Sequence, residues 1–520
     1  MTLARNVATV GSATLLSRVL GFARDVAIAA VFGAGVRADA FFVAFQLANL
    51  FRRMLAEGAL NAAVVPLYLR ARDEHGERGA GAFAGRLIGS VTVALVIAVA
   101  ILGFAMPVAI AVLAPGFLPS GPRMTIAVEL ARLMLPYLAF AGPVAVLMGV
   151  LNANGRFGTA AFATAAFNAT MLASLGVVFL LNTGDSPLSG QVVAASVALA
   201  GVSQLALVAV AIWRGPSRVT PLSVSFGADT RRFFALAIPG LVASGIPQIT
   251  VIAGVMIASS SRSAVSWIYY ANRLIELPLG IVGIAVGTVL VPAFAHAIRS
   301  GNKEELGHVE SRGIELAVGL ALPATIALIV LAEPIVRVLF ERGAFHGSDT
   351  AATAAALAAF ALGLPAHVLV KTFSPIFFAR EDTATPMHAA LFGLVVAIAG
   401  SLVLMPLYGH VGVALAIAAS GWASAGLLGV LIARRIGFSL DVEARFRLPR
   451  IVAAAVVMGV TIEAAHRAAG LWLDADAPGL AQALLLGALI VLGLAVYVLG
   501  LKLLKVTSPR DLARVFSKGL

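Results

Sequence analysis

The sequence predicts an all-α, polytopic membrane protein with 14 transmembrane helices, arranged as two pseudo-symmetric six-helix lobes followed by two C-terminal helices. Composition is the first reason. Of the 520 residues, 60% are hydrophobic and 12% are charged, whereas a soluble domain carries about 25% charged residues. Length of the apolar runs is the second. Runs of about 20 apolar residues, enough to cross a bilayer as a helix, recur along the whole chain.

Each apolar run is interpreted as one span. In chain order the spans are 8–33, 39–68, 84–113, 127–151, 158–182, 190–213, 232–258, 265–294, 312–339, 350–378, 386–408, 411–433, 449–470 and 479–503. The first run contains arginines and lacks a small-residue cleavage site, so it is interpreted as a span and not as a signal peptide. The absence of cysteine excludes disulfides, thiolate metal sites and cysteine nucleophiles.

Lysine and arginine are distributed unequally between the two sides of the membrane. With a cytoplasmic N-terminus, 24 of the 37 lie on the cytoplasmic side, six on the opposite side and seven within spans. Because short cytoplasmic loops carry an excess of basic residues, both termini are predicted to be cytoplasmic. The same loops account for the net charge of +12, so no nucleic-acid partner is needed to explain it.

Two segments of the chain are similar to each other at an offset of 226 residues. Residues 30–53 and 256–279 each contain a small-residue loop, an arginine and an aromatic-rich start of the next span, and both spans end near a Val-Pro pair. This repeat predicts lobes at 1–220 and 221–440, with the two extra helices and the C-terminus at 441–520. An even number of spans in each repeat places both lobes in the same orientation, as in transporters whose substrate path runs between the lobes.

The first span carries Arg18 and Arg24. A central arginine costs roughly 2.5–3.5 kcal/mol on insertion scales, so this face is predicted to line a wet cavity or another helix. The second span adds Arg52 and a polar stripe, and the eighth span has a corresponding polar group. These further residues are Gln46, Asn49, Arg53, Glu57 and Asn61 in the second span, and Asn272, Arg273 and Glu276 in the eighth.

Two interpretations of these charges remain open at this stage. Arg53 with Glu57, and Arg273 with Glu276, have the helical spacing of structural ion pairs. For Arg18, Arg24 and Arg52, the carboxylates at helical spacing are too few to neutralise all three positive charges. A binding role is therefore favoured for these arginines. Several guanidiniums around one cavity would attract an anion, and arginine matches phosphate through bidentate hydrogen bonds. The residues therefore predict a two-lobed transporter of a substrate that carries phosphate or carboxylate.

Several motifs resemble one family of membrane proteins. They are "SRVLGFARD" (17–25), "FGAG" (32–35), "DAFFVAF" (39–45), "RRMLAEGA" (52–59), "NRLIELPLGIVGIAVGT" (272–288) and "FFARED" (377–382). Together they are similar to the MurJ/MviN family of lipid II flippases, in the superfamily that includes multidrug and oligosaccharide-lipid exporters. The resemblance covers essentially the whole chain, including the two extra helices.

The resemblance implies that the substrate is lipid II, the undecaprenyl-diphosphate-linked disaccharide–pentapeptide of peptidoglycan synthesis. It implies transport by alternating access from the cytoplasmic to the periplasmic leaflet of the bacterial inner membrane. The implied substrate-binding residues are Arg18, Arg24, Arg52 and Arg273. The implied cavity or gating residues are Ser17, Asp39, Arg53, Glu57 and Glu276, to which the polar stripe adds Asn49. Gln46 stands where relatives tend to have lysine, and its role and that of Lys371 are left open.

The resemblance also implies a groove for the lipid tail at helices 13 and 14. No nucleotide-binding loop is present in the sequence, so membrane potential or an ion gradient is expected to drive transport, without a cofactor. A monomer, with the cell-wall synthesis machinery as a further partner, is expected. The alternatives are a flippase for another lipid-linked oligosaccharide and a multidrug exporter. A membrane-embedded transferase is disfavoured because the sequence has neither a large external loop nor a cluster of acidic residues or a metal-site motif next to a span.

Overall fold

In the computed structural model, the residues described are 3–54, 60–184, 186–215, 219, 223–225, 227–300, 303–436, 440–470 and 479–506. All regular secondary structure in these ranges is helical. The helices are α1 (Leu3–Phe32), α2 (Val36–Met54), α3 (Leu60–Phe104), α4 (Met106–Leu113), α5 (Pro122–Met134), α6 (Tyr137–Ala153), α7 (Phe157–Leu180), α8 (Pro187–Trp213), α9 (Ala228–Ala258), α10 (Ala264–Ser300), α11 (Lys303–Val330), α12 (Ala332–Phe340), α13 (Gly347–Ala361), α14 (Leu364–Phe378), α15 (Ala384–Tyr408), α16 (His410–Ile436), α17 (Val442–Gly470) and α18 (Gly479–Leu503).

Ten segments of the described residues are long and apolar enough to cross a membrane. They are Ala63–Phe104, Pro122–Ala153, Phe157–Leu180, Pro187–Trp213, Glu304–Val330, Gly347–Phe378, Ala384–Tyr408, His410–Arg435, Val442–Gly470 and Gly479–Leu503. The chain is therefore a multi-pass, helical membrane protein. Helices α1 and α2 are outside this set, and both carry arginines of the candidate site. The number of fourteen spans stays a prediction.

Helix α3 is two helices joined at a break. Gly76 has φ +68° and ψ −174°, a backbone conformation that is unfavourable for residues with a Cβ atom. The break lies between the end predicted for the second span and the start predicted for the third. It therefore divides a segment of 45 residues, which is more than a single bilayer crossing requires.

The chain divides into two compact units. The first comprises Met1–Ser266 and Arg342–His346, and the second comprises Trp267–Glu341 and Gly347–Leu520. The predicted boundaries of the lobes, 1–220, 221–440 and 441–520, stay predictions.

In the first unit, helices pack through small residues. Helix α1 lies against α7, α3 against α6, and α2 against α5 and α9. At Gly142 of α6, an added Cβ atom would overlap the side chains of Val91 and Leu95 of α3. This packing is the close backbone approach that glycine permits between membrane helices.

The segment 342–346 belongs to the first unit although it lies far along the chain. The amide of Ala344 donates a hydrogen bond to the carbonyl oxygen of Ala30, at 2.9 Å. Gly33 and Gly343 both have positive φ, at +59° and +61°, and an added Cβ atom at either would overlap the opposing backbone. The end of α1 is therefore held by backbone contacts that only glycine at these two positions accommodates.

In the second unit, α15 packs on α16, and α17 packs on both α11 and α18. A hydrophobic cluster that includes Leu331, Ala455, Met458 and Tyr497 joins α17 and α18 to the end of α11. The hydroxyl of Tyr497 also donates to the carbonyl oxygen of Gly319, at 2.7 Å. These contacts attach the last two helices to the body of the second unit.

Candidate functional site

Arg24 is almost completely buried in the first unit, with 6% of its surface exposed. Its Nη2 and Nε atoms donate to Oδ1 of Asp25, at 2.7 and 3.0 Å, and Asp25 is 0% exposed. Neighbouring residues on a helix do not ordinarily face each other, but here the long arginine side chain reaches the adjacent carboxylate. The guanidinium also lies 5.1 Å from the ring centroid of Phe45, within the range of a cation–π contact.

Asn168 of α7 joins Arg24 to the preceding turns of α1. Its Oδ1 accepts a hydrogen bond from Nη1 of Arg24 at 2.9 Å, while its Nδ2 donates to the backbone carbonyl of Ser17 at 2.9 Å. Ser17 is half-buried, and Arg18 beside it is exposed. Among the residues that the structure describes, Arg18 has no hydrogen-bond or ion-pair partner. Its guanidinium is therefore available to a ligand.

Arg52 lies near the same point of α7. It is half-buried and donates from Nε and Nη2 to Oδ1 of Asn49, at 3.1 and 2.9 Å. Its guanidinium lies 5.6 Å from the ring centroid of Phe167, the residue directly before Asn168. Two consecutive residues of α7 thus contact Arg52 and Arg24, which brings the arginines of α1 and α2 into one neighbourhood.

Arg53 faces a different helix. Its Nη1 donates to Oε1 of Gln248 on α9, at 3.1 Å. The proposed partner from the sequence, Glu57, lies outside the described residues. The observed contact joins α2 to α9 within the first unit.

Asp39 is fully buried, with 0% of its surface exposed, and it binds the start of α10. Its Oδ2 accepts from the amide of Ser263 at 2.8 Å, and its Oδ1 accepts from the amide and hydroxyl of Ser266 at 3.0 and 2.8 Å. The first amides of a helix have no partner within the helix, and a carboxylate is favoured there by the helix dipole. Arg123 approaches the same carboxylate at 3.8 Å. Asp39 is therefore a capping group supplied by another helix.

Arg273 and Glu276 belong to the second unit. Nη1 of Arg273 donates to Oε2 of Glu276 at 2.7 Å, and the two side chains are 22% and 31% exposed. Nδ2 of Asn272 lies 3.5 Å from Oε1 of the same glutamate. The interpretation of this i,i+3 set as an ion pair thus has a geometric basis in the structure. Lys371, also in this unit, is exposed and contacts the carbonyl oxygen of Leu279 at 3.4 Å.

The arginine site of the first unit is defined as Ser17, Arg18, Arg24, Asp25, Arg52, Phe167 and Asn168. Three arginines and one aspartate give it a net charge of +2 within a largely apolar set of helices. The low dielectric there strengthens attraction for an anion. Arg24 is fixed by its protein contacts, whereas exposed Arg18 and half-buried Arg52 can reach a ligand. In the described part of the chain, no group of three or more histidine, aspartate or glutamate side chains has the geometry of a metal site.

The sequence pointed to the arginines and to Asn49, which contacts Arg52, but not to the groups on α7 and α9 that contact the arginines. Asn168 is the one asparagine of the mainly apolar helix α7 and gives no periodic signal, and Phe167 beside it is not distinguished from the other apolar residues. Gln248 is likewise isolated in α9. Asp25 is adjacent to Arg24 in the sequence, but adjacency on a helix is not a signal of pairing, because neighbouring side chains do not ordinarily face each other.

Comparison with known proteins gives a consistent result. The family model described as "Lipid II flippase MurJ" matches residues 28–499. A protein of Rhizobium meliloti (strain 1021), named "Probable lipid II flippase MurJ", is 39% identical over 96% of this chain and 93% of its own length. A protein of Burkholderia cenocepacia, named "Lipid II flippase MurJ", is 33% identical over 80% of this chain and 81% of its own length.

Solved structures agree on the fold. The structure of "Lipid II flippase MurJ, inward closed conformation" has a TM-score of 0.77 at 22% identity, covering 94% of this chain and 97% of that one. An inward-facing multidrug transporter of the MATE family and MOP superfamily has a TM-score of 0.68 at 14% identity, covering 82% of this chain and 98% of that one. At such identities the likeness concerns the fold alone.

Proposed function

The chain belongs to the MurJ family of lipid II flippases, and from this premise we propose how its own residues carry lipid II across the membrane. The protein is a lipid II flippase. It is similar over most of its length to relatives that carry this name. A diphosphate and its sugars cannot enter hydrocarbon without a heavy desolvation cost. A polar path through the helices lowers that cost, while the polyprenyl tail stays in lipid.

The arginine site is the feature that supports this proposal best. Arg18 and Arg52 bind the diphosphate, because their guanidinium groups are accessible and form charge-assisted hydrogen bonds with phosphate oxygens. Arg24 adds positive potential and is held in place by Asp25 and Asn168. Arg273 of the second unit is proposed to bind the substrate when the lobes expose their path to the cytoplasmic side.

The polar residues around the arginines have supporting roles. Asn49 orients Arg52 directly, and Ser17 acts on Arg24 through Asn168, which contacts both residues. Three residues are proposed to hold the helices in one state of the cycle. Asp39 binds the start of α10 and Arg53 binds α9. Glu276 binds Arg273 one turn away on the same helix. Glu57 is proposed for the same role on the basis of the sequence.

We propose fourteen spans, with both termini on the cytoplasmic side of the bacterial inner membrane. The ten apolar segments become fourteen when α1, α2, α9 and α10 are added, and these four helices have 30, 19, 31 and 37 residues. At 1.5 Å per residue, each is long enough to cross most or all of a bilayer core of about 30 Å. Transport from the cytoplasmic to the periplasmic leaflet then proceeds by alternating access of the lobes.

The cycle is proposed to use membrane potential or an ion gradient as its energy source, in a monomer without a cofactor or catalytic chemistry. Helices α17 and α18 are proposed to hold the polyprenyl tail, because their outer faces expose large apolar residues such as Val456, Val460 and Val491. Contact with the cell-wall synthesis machinery is a further proposed interaction.

A reconstituted transport assay tests the proposal. Purified protein in vesicles is given fluorescent lipid II on one side, and the label that reaches the other side is measured. Wild type should translocate lipid II, and Arg18→Ala should reduce the rate on the order of tenfold, the effect of losing one charge-assisted hydrogen bond. Arg37→Ala is the matched control, because Arg37 is an exposed arginine of the same unit outside the site.

Competing substrates distinguish the alternatives. An undecaprenyl-diphosphate with a different glycan, offered in the same vesicles, should move more slowly than lipid II. Equal rates would show that the protein carries diphosphate-linked glycans in general. If wild type moves none of these lipids under an imposed membrane potential or ion gradient, the proposed mechanism is wrong.

A further inference from the structure

An apolar groove lies in the first unit, with a lining that shares no residue with the arginine site. It has a volume of about 910 Å³ and is formed by α5, the start of α8 and the residues around α4. Most of its lining is apolar, including Pro107, Val128 and Leu133, but Glu129 and Arg132 also line it. Both charged side chains are exposed. An apolar groove with one positive and one negative side chain is unusual for a surface that faces only hydrocarbon.

Glu129 and Arg132 are one helical turn apart but do not form an ion pair. Residues at this spacing ordinarily can pair. Here Oε1 of Glu129 accepts from Nε2 of Gln191 at 2.5 Å, whereas Nε of Arg132 donates to the carbonyl oxygen of Gly103 at 3.2 Å. Each side chain is thus held by a different helix. Among the described residues, the two terminal nitrogens of Arg132 and Oε2 of Glu129 have no protein partner.

We expect these charges to lie near the depth of lipid head groups, because Gln191, the partner of Glu129, is close to the start of a candidate span. Gln191 lies four residues after Pro187, the first residue of α8, which is about 6 Å along the helix axis. Arginine side chains are favoured at this depth, where the charge reaches the polar interface. Beside the groove, Val108 and Val112 of α4 are 66% and 59% exposed, so an apolar surface continues from the charges.

We propose that this groove binds one glycerophospholipid with a zwitterionic phosphoethanolamine head group. Arg132 binds the phosphate through its two terminal nitrogens, and Glu129 accepts a hydrogen bond from the primary ammonium. The acyl chains lie along α4 and the apolar lining of the groove. One positive and one negative side chain complement the phosphate and ammonium of one head group, whereas an anionic phospholipid without an amine would place negative charge opposite Glu129.

Native mass spectrometry of the purified full-length protein tests this proposal. Phosphatidylethanolamine or phosphatidylglycerol is added at equal concentration to protein in mild detergent, and the bound lipid is counted. Wild type should retain one phosphatidylethanolamine in preference to phosphatidylglycerol. Arg132→Gln and Glu129→Gln should each lower its affinity on the order of tenfold, because each removes one charge-assisted contact. Both side chains are exposed, so we expect both variants to fold, and thermal unfolding verifies this.

Arg467→Gln is the matched control. Arg467 is an exposed arginine beside another apolar groove, but its Nε is paired with Oε1 of Glu463 at 2.6 Å. This variant should retain phosphatidylethanolamine like wild type. Equal loss in Arg467→Gln would show non-specific lipid association. Equal affinity for phosphatidylglycerol, with no effect of Glu129→Gln, would overturn the assignment of a zwitterionic head group. Lipid retention is measured without transport, so this result is independent of the proposed flippase mechanism.

Discussion

Replacing Arg24 should lower both the folding stability and the rate of transport. A second substitution, at Asp25, allows the two effects to be distinguished. Arg24→Ala removes three hydrogen bonds, two to Asp25 and one to Asn168. It also leaves the Asp25 carboxylate, which is 0% exposed, without the guanidinium. Loss of one partner from a buried ion pair costs about 3–5 kcal/mol of folding stability. We therefore expect Arg24→Ala to be strongly destabilised.

The double variant Arg24→Ala, Asp25→Asn removes the charge that the single variant leaves behind. The remaining cost is that of the hydrogen bonds that these buried polar groups lose, about 1–3 kcal/mol. The double variant should therefore be about 2 kcal/mol more stable than Arg24→Ala. Transport should stay low in both variants, because neither has the positive charge of Arg24.

The measurements are unfolding in detergent and lipid II transport in vesicles. Arg18→Ala provides the contrast, since Arg18 is exposed and its loss should change stability by less than about 0.5 kcal/mol. If Arg24→Ala unfolds like wild type, the ion pair does not stabilise the unit. If the double variant regains both stability and transport, Arg24 has a structural role only.

Three further predictions concern single side chains. Asp39→Asn leaves one acceptor oxygen for the three donors that Asp39 now binds, so unfolding in detergent should show a loss of about 1–3 kcal/mol. Asn168→Ala removes the partner of both Arg24 and Ser17; transport should fall, and a rate equal to wild type would contradict the positioning role. Hydrogen bonds from the hydroxyl and amide of Thr385 hold the pKa of Asp382 below its ordinary value. This carboxylate therefore stabilises the fold above about pH 4, and the contribution is lost as the pH falls through the lowered pKa. Asp382→Asn should remove that part of the acid dependence of unfolding.

Asp73→Asn is the control for the aspartate variants, because Asp73 is exposed. It should leave stability unchanged within about 0.5 kcal/mol. If Asp39→Asn and Asp73→Asn lost similar folding stability, the burial of Asp39 would not be the cause of its loss.

The helical membrane class could be predicted from composition because long apolar runs have few alternatives in a bilayer. The candidate arginines could be identified for the same reason, since a charge within such a run is costly. The number of spans was harder to establish. The helices that contain Arg18, Arg24 and Arg52 are outside the set of apolar segments, because the charged residues of these helices weaken the hydropathy signal that marks a span.

The sequence by itself determined the fold class, the identity of the arginines and, through motifs of the whole chain, the family. The tertiary structure alone decided which groups hold those arginines. Asn168 is 144 residues from Arg24, and Ser263 is 224 residues from Asp39. No helical period relates such positions, because their contact arises from the packing of α1 on α7 and of α2 near the start of α10. Contacts with two other helices likewise separate Glu129, which binds Gln191 of α8, from Arg132, which binds Gly103 of α3, although local spacing alone would have paired them.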